Sequence, residues 1–310
     1  MRILQQIAVI LVCFAPVLYA AGEVSQPAGV LIPTTPRQGL GEGRYYRFKR
    51  ELRGWEYLAS RLVEDGVSPQ DVESIYASSN MPGFSYVYFS LAPKESADIY
   101  SGFRSESKAK LLRRYMTRNL PAFAAAEREL KVPREVVGAI LLVETHCGQV
   151  TGTNRLIYRL SRLASVGKPE NLRVNFERLQ ESDPAVTFAE VTERAHYLEQ
   201  TFYPEIAALI KIAQRRKVNI FNIRGSQSGA FGIPQFLPTS YLRYGADGNG
   251  DGIISLYSAE DAIWSAANYL SGFGWDNSRS VAENRDVLWR YNKSDAYIDT
   301  VISIAERIRE

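Results

Sequence analysis

The sequence predicts a mainly α protein, and three observations carry that prediction. Apolar residues recur at three- and four-residue spacing through most of the chain, strand-like alternation is scarce, and several segments carry marked helix ends. No internal repeat is visible. With 310 residues, 45% hydrophobic and 23% charged, the chain has an ordinary globular composition and room for one large domain or two modest ones. A net charge of +3 gives no support for a nucleic-acid partner.

The elements follow in order. Residues 1–21 read as a secretory signal: Arg2 supplies the positive start, 7–18 is almost continuously apolar, and Ala20, Ala21 and Gly22 are small enough for cleavage. The apolar run is short for a membrane span, which needs about 20 residues. Export to the periplasm or cell envelope is therefore expected over membrane anchoring. Val12 before Cys13 argues against lipidation, and cleavage would leave Cys147 as the sole cysteine, so no internal disulfide is expected. Residues 22–44, rich in Pro, Gly and Thr, read as a flexible lead-in.

Residues 45–130 are expected to form an N-terminal helical region. Leu52, Trp55, Leu58 and Leu62 give 45–65 helical spacing, and Ser68 is an N-cap before Pro69. The mixed stretch 81–94, with SYVYFSLAP, reads as an extended segment crossing the surface. Leu111, Leu112, Tyr115, Leu120, Phe123 and Ala126 make 105–130 helical again.

A second domain is expected over 131–310. It opens with VPREVVGAILLVETHCG, 132–148, which reads as one helix from Pro133 at its first position to a stop at Gly148. Val136, Val137, Ile140 and Leu141 form an apolar stripe, and the next position on that stripe is Glu144. Burial and the negative helix end both disfavour its ionised form. An acid that keeps its proton near neutrality can protonate a leaving group. The competing reading is a half-exposed glutamate paired with His146 or an arginine. Further helices are expected within 151–168, over 188–216 with a kink or split at Pro204, and over 258–270, 281–291 and 295–308.

Two more stretches carry chemistry. GSQSGAFGIPQFLPTSY, 225–241, places Ser226, Gln235, Phe236 and Tyr241 among three glycines. Neutral polar groups beside flat aromatic faces suit a sugar. A turn-rich connector with a core phenylalanine is the alternative. In DGNGDGIISLYSAED, 247–261, Asp247, Asn249 and Asp251 stand at positions one, three and five of a calcium loop, with Gly252 at the turn. Position twelve is Ser258, which cannot close such a loop, so Glu260 or Asp261 would close a longer one. Ser258 and Asp261 also form a capping box for the next helix. Tyr269, Tyr291, Asn292 and Tyr297 cluster in ANYL and RYNKSDAY, where each tyrosine taken singly would be read as core.

Together and in this order, these motifs resemble the soluble and membrane-bound lytic murein transglycosylase B family, glycoside hydrolase family 103. The resemblance covers about 111–297. It implies a lysozyme-like catalytic domain with an added N-terminal helical part. It also implies cleavage of the β-1,4 bond between N-acetylmuramic acid and N-acetylglucosamine in peptidoglycan, leaving 1,6-anhydro ends. Glu144 matches the family's single catalytic acid/base. Ser226, Gln235 and Phe236 match residues lining the saccharide groove, and Tyr269, Tyr291, Asn292 and Tyr297 match positions around the glutamate. Tyr100 matches another groove tyrosine across a gap. Asp247, Asn249, Asp251 and Asp261 match an elongated loop for structural calcium, which selects Asp261 over Glu260. No organic cofactor is implied. The implied partners are peptidoglycan strands and other cell-wall enzymes, and the chain is expected to be a monomer. Cys147 stands where the family has an aromatic, and the chain between Trp275 and Val281 is shorter. The competing functions are a hydrolytic muramidase with Asp183 or Glu193 as second carboxylate, and a non-catalytic, calcium-dependent peptidoglycan-binding protein.

Overall fold

The computed structural model describes residues 45–92 and 97–309. The expected signal and lead-in lie outside the described residues. In chain order the helices are α1 (Glu56–Glu64), α2 (Pro69–Tyr76), α3 (Glu106–Arg118), α4 (Leu120–Leu130), α5 (Arg134–Thr145), α6 (Leu156–Leu163), α7 (Pro169–Ser182), α8 (Phe188–Arg215), α9 (Pro238–Tyr244), α10 (Ala259–Gly272), α11 (Arg285–Tyr291) and α12 (Asp295–Arg309). A short 3-10 helix, Ala97–Arg104, precedes α3. Two short strands, β1 (Asn154–Arg155) and β2 (Arg224–Gly225), pair antiparallel with Asn154 opposite Gly225. The protein is mainly α, as expected.

The chain divides into two compact units, but not at residue 130. Among the described residues one unit comprises 97–156 and 212–309, and the other 45–92 and 157–211. The difference from the expected division is physical: α3 and α4 pack on α5, so they belong with the helix that follows them.

In the first unit α5 is the central element. Nine of its twelve residues are buried, from Val136 to Val143 and Thr145. A helix apolar on all sides is a core helix, and α3, α4, α10 and α12 all pack against it. The expected single stripe is thus a full cylinder. Pro133 is the N-cap rather than the first helical residue, and the helix stops at His146, two residues before Gly148. His146, Cys147 and Gly148 all take left-handed conformations, with φ of 52°, 58° and 88°.

In the second unit the core gathers around Trp55, Leu58, Leu62 and Tyr76. Expected helix 45–65 begins only at Glu56, because Arg53 and Gly54 are left-handed and turn the chain. Ser68 caps α2 by accepting from the Asp71 N–H. Helix α8 is one helix through Pro204, not two. A proline inside a helix costs about 3 kcal/mol, and the buried Phe202, Tyr203, Ile206 and Leu209 around it offset that. Glu199 is buried in this unit, where its carboxylate accepts from Tyr57 Oη at 3.1 Å and the Gly167 N–H at 2.9 Å. Burial raises its pKa to about 7.

Apolar periodicity does not reveal α7, because its buried face carries asparagines. The Asn171 Oδ1 accepts from the Val87 N–H at 2.8 Å, and its Nδ2 donates to the Val166 carbonyl at 2.7 Å. Asn175 Nδ2 donates to the Val87 carbonyl at 2.9 Å. These side chains serve segment 84–90, which lies outside any helix or strand. Asn171→Ala is expected to destabilise the protein by on the order of 3 kcal/mol, since it strips partners from buried backbone groups at about 1–3 kcal/mol each. Denaturant unfolding measures this, and a loss below about 1 kcal/mol would mean those groups find other partners.

Candidate active site

The last turn of α5 delivers Glu144 to a cavity of about 180 Å³. Its wall is formed by Ser226, Ser228 and Ala230, by Gln235, Phe236, Leu237 and Ser240, by Tyr269 of α10, and by Arg290, Tyr291, Asn292 and Lys293. Among the described residues Glu144 is the only carboxyl lining this cavity. The second carboxylates weighed from sequence, Asp183 and Glu193, are exposed and do not line it.

Glu144 is half-buried, with its carboxyl held from behind by Tyr297. The Tyr297 hydroxyl donates to Glu144 Oε1 at 2.7 Å. Burial raises the Glu144 pKa to about 7, and the Tyr297 hydrogen bond opposes that rise by favouring the carboxylate. Tyr297 is itself fully buried, and burial together with Glu144 pushes its pKa well above the ordinary value, so it remains a donor. No arginine pairs with Glu144 among the described residues, and His146 instead packs against the Phe103 ring at 5.1 Å. The alternative of a half-exposed glutamate paired with His146 or an arginine therefore holds only for the exposure: Glu144 is half-buried, and its partner is Tyr297.

Tyr100, expected in the groove, and Tyr297, expected around the glutamate, stand off the cavity wall. Tyr297 and Tyr100 are 0% and 4% exposed and do not line the cavity. Tyr100 packs edge-on against Tyr297 at 5.9 Å. The pair stands behind the carboxyl, so its geometry suits positioning rather than contact with a ligand.

The remaining expected residues converge. Phe236 sits against Tyr269 at 5.4 Å and Tyr291 at 6.0 Å, and Tyr269 meets Tyr291 at 4.9 Å. Each hydroxyl is anchored: Tyr269 donates to the Arg290 carbonyl and Tyr291 to the Pro234 carbonyl, both at 2.6 Å. Gln235 holds a left-handed φ of 51° and donates from Nε2 to the Gly232 carbonyl at 2.7 Å and the Thr151 carbonyl at 3.3 Å. Ser226 Oγ accepts from the Ala230 N–H at 3.2 Å. Asn292 lines the wall beside Tyr291.

The loop carrying Ser226 and Gln235 is fastened to the end of α5. Thr145 Oγ1 donates to the Ile233 carbonyl at 2.8 Å and accepts from the Gly148 N–H at 3.0 Å. Two glycines make the crossing possible: a Cβ on Gly152 would stand 2.3 Å from the Gly225 carbonyl, and one on Gly225 would stand 2.2 Å from the Ala230 oxygen. Cys147 is half-buried, and burial pushes its thiol up to about 12, so it is protonated at neutrality.

Sequence reasoning missed Arg290 and Lys293, which put two cations on the cavity wall. Burial and Arg290 lower the Lys293 pKa. Both residues stand in the RYNK stretch, beside the Tyr291 and Asn292 that were selected from it.

The loop 247–261 is closed on itself. Asp247 accepts from the N–H groups of Gly250, Asp251 and Gly252. Asp261 is fully buried and joins both ends of the loop, Oδ1 accepting from the Gly248 N–H at 2.9 Å and Oδ2 from the Ser255 N–H at 2.6 Å. Its backbone N–H also donates to Ser258 Oγ, so Ser258 caps α10, but the reciprocal half of the expected capping box does not form: the Asp261 carboxylate serves the loop, and the Ser258 N–H donates to the Ser255 carbonyl. Among the described residues no three His, Cys, Asp or Glu side chains gather as metal ligands. The oxygen-only donor set of Asp247, Asn249, Asp251 and Asp261 nevertheless suits a hard cation in kind.

The helical frame and its single-acid cavity define a lysozyme-like protein, and solved structures agree. A lytic transglycosylase of Escherichia coli in complex with bulgecin A is similar over 82% of this chain and 92% of that one, with a TM-score of 0.62 at 21% identity. The same enzyme in complex with calcium is similar over 68% and 77%, with a TM-score of 0.54 at 22% identity. A Pseudomonas aeruginosa protein in complex with NAG-anhNAM-pentapeptide is similar over 82% and 78%, with a TM-score of 0.60 at 17% identity. Residues 51–284 match the transglycosylase SLT domain, and the chain belongs to that family. Over 151 residues it is 33% identical to the membrane-bound lytic murein transglycosylase B of Escherichia coli (strain K12), a match covering 49% of this chain and 34% of that relative. The matched stretch thus spans about a third of the relative's length.

The raised pKa has a consequence for stability. Folded Glu144 keeps its proton to about pH 7, whereas an unperturbed carboxyl loses it near 4.5. Stability is therefore complete below the lower value and falls as pH rises through the upper one. Glu144→Gln cannot titrate, so its melting temperature relative to the wild type should rise across that window. Calorimetry at about pH 4 and about pH 8 checks this, and a pH-independent difference would contradict a buried acid.

Proposed function

We propose that this protein is a lytic transglycosylase that cleaves the β-1,4 bond between N-acetylmuramic acid and N-acetylglucosamine in peptidoglycan. The single observation that carries the reading is that Glu144 lines an aromatic cavity with no second carboxyl on its wall among the described residues, where burial pushes its pKa up to about 7. Retaining and inverting glycosidases ordinarily need two. With one, the same group must give a proton and take one back.

Glu144 first donates its proton to the glycosidic oxygen as the C1–O bond breaks. The carboxylate so formed keeps its hydrogen bond from Tyr297, which favours the charged form at that moment. It then takes the proton of the C6 hydroxyl of the same muramoyl residue. The C6 oxygen attacks C1, closing a 1,6-anhydro ring and returning Glu144 to its acid form. No water is consumed. An internal hydroxyl has a high effective concentration, which lets it outrun solvent. Phe236, Tyr269 and Tyr291 supply ring faces, Ser226, Gln235 and Asn292 supply hydrogen bonds, and Arg290 and Lys293 suit stem-peptide carboxylates. The family membership and the NAG-anhNAM-pentapeptide seen with the Pseudomonas aeruginosa neighbour support the reading.

A peptidoglycan substrate also suits the exported location read from residues 1–21. Among the described residues no helix is long and apolar enough to cross a membrane. Calcium would be held by Asp247, Asn249 and Asp251 with Asp261 closing the loop, where it would stabilise the fold and take no part in chemistry.

Mass spectrometry of digested peptidoglycan tests the activity. Anhydro ends are expected, each lighter by one water than a hydrolysed end, and hydrolysed ends would select a muramidase instead. Glu144→Gln should bind glycan but turn over at least about a hundredfold to ten-thousandfold more slowly. Near-wild-type release by that variant would overturn the site. For calcium, the melting temperature should rise with added ion by mass action and fall with chelator, and Asp251→Ala should remove the difference. Identical curves in calcium and chelator would end that assignment.

A further inference from the structure

The second unit carries an aromatic row that the cavity does not use. Phe84, Tyr86 and Tyr88 stand at every second position of segment 84–90. Tyr86 and Tyr88 are 47% and 62% exposed, while Val87 between them is buried. Single exposed aromatics are ordinary, but a row flanked by charge marks an interaction surface. Lys168 Nζ lies 4.8 Å from the Phe84 ring centre, the Arg178 guanidinium 5.4 Å from Tyr88, and that of Arg162 5.7 Å from Tyr158. Among the described residues Arg162 and Arg178 form no ion pair, whereas Lys168 approaches Glu170 at 3.9 Å. The row therefore presents ring faces and net positive charge together.

It is also held rigid. Trp55, nearly fully buried, supports Phe84 and Tyr158 edge-on at 5.3 Å and 6.1 Å. Arg162 donates to the Tyr86 carbonyl at 2.7 Å and Arg178 to the Phe89 carbonyl at 2.6 Å, and Asn171 and Asn175 fix Val87. Binding to a backbone already held, with the Phe84 and Tyr158 rings packed on Trp55, spares part of the entropy of ordering the site.

We propose that Phe84, Tyr86, Tyr88 and Tyr158, with Arg162 and Arg178, form a second, non-catalytic site for a peptidoglycan strand bearing peptide carboxylates. The proposal rests on the peptidoglycan reading above. Sugar C–H faces pack on the rings, and the carboxylates meet the guanidinium groups. The choice of occupant follows from charge complementarity and from ring type: within 84–90 the exposed side chains are tyrosines and serines, which suit a polar polymer better than lipid tails. A second foothold on an insoluble polymer raises the local concentration of strand for the cavity without touching the chemistry.

The test uses the full chain in the Glu144→Gln background, so that turnover does not consume the ligand. Co-sedimentation with purified insoluble peptidoglycan should show Tyr86→Ala/Tyr88→Ala binding about tenfold more weakly, equivalent to about 1.4 kcal/mol. Tyr86→Phe/Tyr88→Phe keeps the ring faces and should stay within about twofold. If the double alanine variant melts early, Tyr88→Ala alone gives the same reading at the more exposed ring. In the active background the alanine variant should process short soluble glycans at the wild-type rate and intact peptidoglycan more slowly. Unchanged co-sedimentation overturns the proposal. So does a patch that prefers single-stranded oligonucleotide or anionic phospholipid vesicles and loses that binding in the alanine variant. Failure of the activity itself is read separately, as the absence of anhydro product from the wild type.

Discussion

The constraint on which this structure depends is the cost of placing a carboxyl on a core helix. Helix α5 is buried almost along its whole length, so Glu144, half-buried at its end, meets solvent only at the cavity. The Tyr297 hydroxyl meets that cost without supplying a charge. A lysine or arginine there would hold the group ionised and end its use as an acid. A purely apolar neighbour would leave nothing to stabilise the carboxylate once the proton had gone. Packing α12 on α5 brings the phenol into place, and Tyr100 fixes the ring from behind.

The second requirement is that the cavity wall keep station with the acid. Thr145, next to Glu144, grips the Ile233 carbonyl of the glycine-rich loop and ties acid and loop into one body. The left-handed turns at His146, Cys147 and Gln235 lie on either side of that tie. Non-glycine residues in this conformation are strained by about 1–2 kcal/mol each. They are tolerated because the packed core around α5 leaves the chain few alternatives. Strain at a site held by its surroundings is a means of fixing geometry in advance of a ligand.

Much of this was legible in the sequence, and the gaps have causes. The helix before Glu144 was legible from its long apolar run, although that run is buried on all sides and leaves no single stripe, and Ser68–Pro69 gave a cap that needs only local geometry. The calcium-type spacing was likewise local. Helix α7 was hidden because its inward face is built from Asn171 and Asn175, whose partners lie some 84 to 88 residues away in the chain. No periodicity encodes that. Tyr297 was expected around the glutamate and Tyr100 in the groove; both stand off the cavity wall, because a motif records that a tyrosine matters but not on which side of the carboxyl it stands. Arg290 and Lys293 carry no motif signal of their own, and only the fold places them on the cavity wall. The interleaving of the two units was invisible for the same reason: only long-range packing defines it.

That interleaving bears on how the protein is made. The unit containing Glu144 leaves off at residue 156 and resumes at 212, and Tyr297 lies 153 residues after the glutamate it serves. At about 5–20 residues per second of synthesis, roughly eight to thirty seconds separate the two. For most of that interval α5, with nine of its twelve residues buried in the finished fold, has emerged without α10 to cover it, and for all of it without α12. Nascent chains in that state are prone to aggregate, and long-range contacts of this kind also slow folding. The order of synthesis thus makes this a protein that gains from being held unfolded until its last helix is complete.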